Sequence, residues 1–290
     1  MARMWRCSGL RWSGDGFVLA WEGGRTSTPA WGQRVGFAVP EGSGRTCVGA
    51  RGHACPARAA VPGRGTGARC EECARLDRAH SVAADTMADD PRPYRVYLAW
   101  FGPGMVKVGI TAVERGPARL LEQGAVCFSW LGTGPLMAAR RTEELLRAAL
   151  GVPDRIAYTE KRAVRAKLPE AEEERAAEVR ELHLRAVALA RWPESLRPEP
   201  CDVVDHVRAF GLEDVPAAFG EVAELVPGGA VSGELVAAAG PDLHLAVPGR
   251  GVVVLDTRLM RGWGIVPSAG EGGGLALPVR EFPREQEGLF

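Results

Sequence analysis

Four cysteines spaced Cys47-x7-Cys55-x14-Cys70-x2-Cys73 fall in a stretch that burial cannot hold together. From Thr46 to His80 large apolar side chains are few while Gly, Pro and Arg recur, so a metal ion is the natural substitute for a core. The short gap in Cys70-Glu71-Glu72-Cys73 lets two thiolates face one ion from a tight knuckle, and a second pair across a loop completes a tetrahedral shell. Four thiolates suit zinc, which has no redox cycle and accepts a closed structural site. Cys47 and Cys55 are spaced more loosely than a usual knuckle, so His53 is an alternative to either of them, and His80 a fainter one. Cys7, Cys127 and Cys201 sit within apolar patterns and read as small buried hydrophobes.

The rest of the composition is that of an ordinary globular chain. Across 290 residues, 36 basic side chains balance 36 acidic ones, and 46% of residues are hydrophobic. This excludes a disordered acidic tail and a histone-like basic wrapper. No apolar run approaches the roughly 18 residues that span a bilayer, and Arg3, Arg6, Arg11 and Asp15 interrupt any signal-peptide core. The expectation is a cytoplasmic protein without a membrane partner, where an odd total of seven Cys favours metal over disulfides.

The neutral total hides a local imbalance. Arg45, Arg51, Arg58, Arg64, Arg69, Arg75 and Arg78 face only Glu71, Glu72 and Asp77 over the cysteine stretch. Arg45, Arg51, Arg58, Arg64 and Arg69 are therefore candidates to meet nucleic-acid phosphates, DNA or RNA, although such a surface also serves as a protein contact. Lys occurs only at Lys107, Lys161 and Lys167, which makes Lys107 conspicuous in an Arg-dominated chain.

Five segments follow: a β-rich start at 1–44, the zinc-ribbon-like stretch at 45–85, a compact α+β centre at 92–158, a helical region at 159–226 and a β-rich end at 227–290. In the first, Trp5 to Trp12 and Phe17 to Glu22 flank Ser13-Gly14-Asp15-Gly16, a hairpin signal, with Trp5, Trp12, Trp21 and Trp31 expected in the core. A two-stranded hairpin is not stable alone, so it is expected to pack with the C-terminal strands Leu243 to Val247, Val252 to Asp256 and Trp263 to Val266. The helical region opens at Pro169 with a run of Glu, carries the stripe Val179, Leu182, Ala186 and Leu189, and places His183 beside it as a partly covered surface residue. Cys201 to Phe210 reads as a further helix, Gly270 to Gly274 as a flexible loop, and the last eight or so residues as frayed.

In the centre, Tyr94 to Trp100 and Met105 to Thr111 read as strands joined by Gly102-Pro103-Gly104. The helices Arg115 to Gln123 and Leu136 to Leu150 flank a strand at Ala125 to Leu131. The strings Val96-Tyr97-Leu98-Ala99, Val106-Lys107-Val108-Gly109-Ile110-Thr111, Arg119-Leu120-Leu121 and Ala139-x3-Glu143-x2-Leu146 resemble the core of the GIY-YIG nucleases. That resemblance covers Tyr94 to Arg155. It implies a small mixed sheet with helices and a divalent-metal-dependent phosphodiester hydrolase, with magnesium or manganese at Glu143. Arg119 would then clamp the phosphate, Tyr97 would help orient or deprotonate the nucleophile, and Gly109 would let the backbone turn close to the substrate. Arg115 and Glu144 are the register alternatives. Lys107 stands where most of that family has a second Tyr, Gln123 where many members have His, and the chain has no Asn for the family's late position. Those departures leave a non-catalytic nucleic-acid-binding or scaffold protein as the alternative. With the cysteine cluster, the Lys-Val-Gly-Ile-Thr and Glu122-Gln123-Gly124-Ala125 strings are also similar to a bacterial and archaeal family, domain of unknown function 2797, which brings no established activity.

Overall fold

The computed structural model describes residues 3–14, 16–79, 90–268 and 274–283. The turn residue Asp15, the candidate ligand His80, most of the Gly270 to Gly274 loop and residues 284–290 lie outside the described residues. The protein is mixed α+β, and its chain divides into two compact units. One comprises Met1–Arg11, Val18–Ala74 and Val215–Phe290; the other comprises Trp12–Phe17 and Arg75–Asp214.

In chain order the elements begin with β1 (Trp5–Ser13), β2 (Gly16–Trp21), β3 (Thr26–Ser27), β4 (Arg34–Ala38) and α1 (Glu71–Ala79). The centre contains β5 (Tyr94–Trp100), β6 (Val106–Ala112), α2 (Ala118–Gln123), β7 (Cys127–Gly134), α3 (Leu136–Leu150) and α4 (Tyr158–Val164). Next come α5 (Glu172–Val187), β8 (Arg197–Pro198), β9 (Val203–Asp205) and α6 (Val207–Phe210). The chain then returns to β structure with β10 (Ala218–Val222), β11 (Ala230–Ala239), β12 (Asp242–Val247) and β13 (Gly251–Asp256). It closes with α7 (Thr257–Met260), β14 (Gly264–Pro267), β15 (Gly274–Leu275) and β16 (Val279–Glu281).

The N- and C-terminal strands share one sheet, ordered β16-β10-β13-β12-β11-β4-β14-β1-β2-β3, with β15 beside β11. β11, β12 and β13 form an antiparallel meander whose Leu235, Leu243, Leu245, Val253 and Leu255 are fully buried. β10 joins it in parallel, and the N-terminal β1 and β4 both pair with β14. Shared strands give the hairpin the partner it lacks in isolation. Its tryptophans are less uniform than expected. Trp12 is buried, its ring 5.4 Å from that of Phe17 and 5.0 Å from that of Phe210, whereas Trp5 and Trp21 are half-covered and Trp31, outside any strand, is 44% exposed.

The second unit is built on a sheet ordered β6-β5-β7-β8, with β9 on β7. β5 lies between two antiparallel partners and is apolar on both faces. Tyr94, Val96, Leu98 and Trp100 point to one side, where Leu136, Ala139 and Leu146 of α3 and Val179 and Ala186 of α5 cover them. Tyr97, Ala99 and Phe101 point to the other, against Leu120, Ala125 and Phe128. Two readings of this region are corrected. His183 is 2% exposed, because its position on α5 turns it toward the sheet and Ser129 Oγ lies 2.9 Å from its Nδ1. Residues 201–210 form the short strand β9 and the single turn α6 instead of one helix, since β9 pairs with Cys127, Phe128 and Ser129 of β7. Cys201 is only half-buried, whereas Cys7 and Cys127 are fully buried as expected.

Candidate functional site

The four clustered cysteines converge. The Sγ atoms of Cys47, Cys55, Cys70 and Cys73 all lie within 4.8 Å of one another, and Cys55 and Cys70 are 4.0 Å apart. A tetrahedron with metal–sulfur bonds of about 2.3 Å has S···S edges of about 3.8 Å, so the four atoms can hold one ion. Cys47 Sγ accepts hydrogen bonds from the backbone N–H groups of Gly49 and Cys70 at 3.3 and 3.2 Å, contacts that orient a metal-bound sulfur. The Ala59 N–H lowers Cys55 to about 7, whereas burial and the neighbouring sulfurs push Cys73 up to about 12. Four thiolates this close repel one another unless a cation joins them.

Local geometry explains the spacing. Cys70 precedes α1 and Cys73 lies in its first turn, so the two-residue gap spans a helix start and not a second ribbon hairpin. The long first gap is taken up by a two-residue turn, in which Ala50 and His53 exchange backbone hydrogen bonds around Arg51 (φ 52°) and Gly52 (φ 81°). A Cβ at Gly49 would sit 1.9 Å from the His53 carbonyl oxygen, so only glycine fits there. His53 is exposed and stands apart from the four sulfurs.

The arginines of this stretch separate by environment. Arg51, Arg58 and Arg64 are exposed, and Arg64 pairs with Glu224 at 2.9 Å. Arg69 is half-buried and donates to the Gly49 carbonyl at 2.9 Å. Arg45, expected at the surface, is instead 2% exposed. Its guanidinium donates to the carbonyls of Arg261, Gly65, Pro62 and Arg258 at 2.8, 2.8, 3.1 and 3.2 Å. A planar group with five N–H donors suits that ring of carbonyls, and burial there removes Arg45 from any phosphate surface.

In the other unit, Tyr97, Lys107, Arg119 and Glu143 come from β5, β6, α2 and α3. The Arg119 and Glu143 charges both reach Tyr97 and Lys107. Tyr97 is 1% exposed, and its hydroxyl oxygen accepts a 2.7 Å hydrogen bond from Gln123 Nε2. Burial raises the phenol above its ordinary range, and the Gln123 and Arg119 donors only partly offset that. Lys107 is 8% exposed, and Nζ donates to the Asp154 carbonyl at 2.9 Å. Burial and then Arg119 lower its pKa to about 8.

Glu143 is half-covered, and its carboxyl is raised first by burial and next by Asp154, against the pull of Lys107. The register alternatives do not join this group. Glu144 is exposed and pairs with Arg147 at 3.3 Å, and Arg115 pairs with Glu122 at 2.7 Å. Gly109 does not turn the chain, being an ordinary β6 residue opposite Tyr97. Its missing Cβ leaves room for the tyrosine ring.

Sequence reading missed two participants. Asp154 follows the α3 cap and is fixed where Val108 N donates to the Pro153 carbonyl at 2.9 Å. Lys161 is 3% exposed, with Nζ 3.2 Å from the Gln123 carbonyl and 3.7 Å from the Phe101 ring centroid. The scarcity of lysine was the one available signal for Lys161; nothing local marked Asp154.

Among the described residues no helix is long and apolar enough to cross a membrane. No curated protein and no solved structure matches the chain. A match over residues 58–265, most of the chain and both candidate sites except the first two cysteines, places it in a family: the protein belongs to the proteins of unknown function DUF2797.

Proposed function

We propose that this protein acts on nucleic-acid phosphodiesters at the Tyr97–Lys107–Arg119–Glu143 cluster, and that its four cysteines hold a structural zinc ion. The observation that carries the reading is that Arg119 and Glu143 both act on the buried Tyr97 and Lys107, four side chains drawn from four separate elements. A phosphodiester presents a delocalised negative charge and a poor leaving group, so its hydrolysis needs cations around the phosphate and a site to take up a proton. Arg119, 44% exposed at its side chain, supplies planar donors for phosphate oxygens. Tyr97 keeps its proton at neutral pH, as any phenol does and the more firmly because burial raises its pKa, so it would orient a water or phosphate oxygen by donating to it. Lys107 at about 8 is neutral in roughly one molecule in ten at pH 7, which lets it accept a proton as well as bind charge.

Glu143 feels repulsion from Asp154 and a burial cost, both of which a divalent cation relieves. Such an ion, magnesium or manganese, would supply Lewis-acid charge to the phosphate when bound. Exposed Arg51 and Arg58, with half-buried Arg69, would add sequence-independent contacts to the nucleic-acid backbone.

Purified protein incubated with magnesium and diverse DNA and RNA should cleave them, and Glu143→Ala should abolish cleavage. Cleavage indifferent to both Glu143→Ala and Glu144→Ala would discard the site. A second reading, a nucleic-acid binder without turnover, draws on Gln123: its amide occupies the Tyr97 oxygen and cannot serve as a general base. Salt-sensitive binding without turnover would select it.

A further inference from the structure

We infer that the sheet unit containing the cysteine cluster carries a second anion site, a cavity that receives a phosphate group. The cavity, of about 390 Å³, is walled by Ser8 to Arg11 of β1, by Val48 to Gly52 and Arg69 of the cysteine stretch, and by Arg258 and Arg261 at α7. Five arginines, Arg11, Arg51, Arg69, Arg258 and Arg261, line it, and no carboxylate among the described residues does. Asp256, just outside the lining, balances Arg258 through contacts of 2.6 to 3.2 Å. A small phosphate-bearing molecule or the end of a nucleic-acid strand fits this volume and charge.

The surrounding chain holds the arginines in place. Arg69 is fixed by its bond to the Gly49 carbonyl, and the Arg261 side chain lies along β1 beside Gly9, its Cδ 3.4 Å from where a Cβ would stand. Buried Arg45 grips the carbonyls of both Arg258 and Arg261 and also those of Pro62 and Gly65, tying the α7 wall to the cysteine stretch. Arg51 occupies a left-handed position (φ 52°) where glycine or asparagine is preferred, so an arginine is kept there against local backbone preference.

Two cavity walls are also continuous with the cysteine ligands: Val48 to Gly52 follow Cys47, and Arg69 precedes Cys70. The inference goes beyond the phosphodiester reading and does not depend on the Tyr97 cluster, whose residues belong to the other unit.

The experiment titrates the full-length, zinc-loaded protein with inorganic phosphate, adenosine 5′-monophosphate, and one short oligonucleotide with and without a 5′-phosphate. Calorimetry reads affinity and thermal melting reads stability. The double variant Arg11→Ser/Arg51→Gly should lose at least tenfold in affinity while its melting temperature holds or rises, since Gly relieves the Arg51 backbone. Arg185→Gln, an exposed α5 change, should leave binding intact. Binding of phosphate and the monophosphate identifies a small ligand, and binding only of the 5′-phosphorylated strand identifies a strand end; both uphold the site. Failure of every phosphate probe to bind, or binding unchanged in the double variant, overturns it. Because Glu143→Ala cleavage assays report on the other cluster, failure of one site is distinguishable from failure of the other.

Discussion

Tyr97 lies across Gly109. The two residues are directly paired between β5 and β6, and a Cβ at position 109 would fall 2.3 Å from the Tyr97 hydroxyl oxygen and 2.4 Å from Cζ. The ring therefore crosses the edge strand β6 at the one residue that leaves room for it, with its hydroxyl on Gln123 Nε2, Lys107 Nζ 5.9 Å from its centroid and the Glu143 charge acting on it.

Gly109→Ala should accordingly destabilise the protein by about 1–3 kcal/mol through overpacking. Tyr97→Phe should not relieve it, because the ring remains. Tyr97→Ala should: each single change is costly, and the double variant should fall short of their sum by more than about 1 kcal/mol. A urea-denaturation cycle measures this, and strictly additive losses would disprove the contact.

Arg45→Ala should cost about 3–5 kcal/mol, since four backbone carbonyls lose their shared donor. Arg45→Lys should recover little, because one ammonium cannot reproduce the planar fork. Equilibrium unfolding checks both. A loss under about 1 kcal/mol would mean that water replaces the guanidinium.

Elemental analysis of the purified protein should find about one zinc per chain. Cys73→Ser should remove it and lower the melting temperature, whereas Cys201→Ser, outside the cluster, should not. Chelation of the parent protein should reproduce the Cys73→Ser melting curve. A metal-free protein with an unchanged melting temperature would rule out a structural ion.

Lys107 makes a pH-dependent contribution whose sign is fixed. Its folded pKa of about 8 lies below the ordinary 10.5, so between those values the unfolded chain holds more protons. This contribution makes stability rise with pH across that window; below it both states keep the proton and the slope vanishes. Lys107→Met should flatten the rise, as read by urea midpoints at about pH 7.5, 9 and 10. Parallel curves for the two proteins would show that Lys107 is not buried in solution.

What was legible in advance was local chemistry. A Cys-x2-Cys gap, a cysteine-rich stretch without a core and a strand-turn-strand around Gly102-Pro103-Gly104 each follow from residues close in the chain, where spacing alone fixes which groups can meet. By itself the sequence thus marked the four cysteines, with His53 and His80 as alternatives, the α+β centre and the conspicuous Lys107; convergence of the four sulfurs came from the fold. Only the tertiary structure decided which arginines reach water, because Arg45 and Arg51 differ not in type but in the carbonyls that distant loops bring to one of them. The resemblance likewise implies a backbone turn at Gly109 until β5 is paired beside it, and Asp154 signals nothing until Val108 holds Pro153 against β6. His183 joined the core through a partner 54 positions away. Burial, charge coupling and steric exclusion depend on neighbours that sequence distance conceals, and here those neighbours are supplied by sheet pairing, by a helix laid on the sheet and by distant loops.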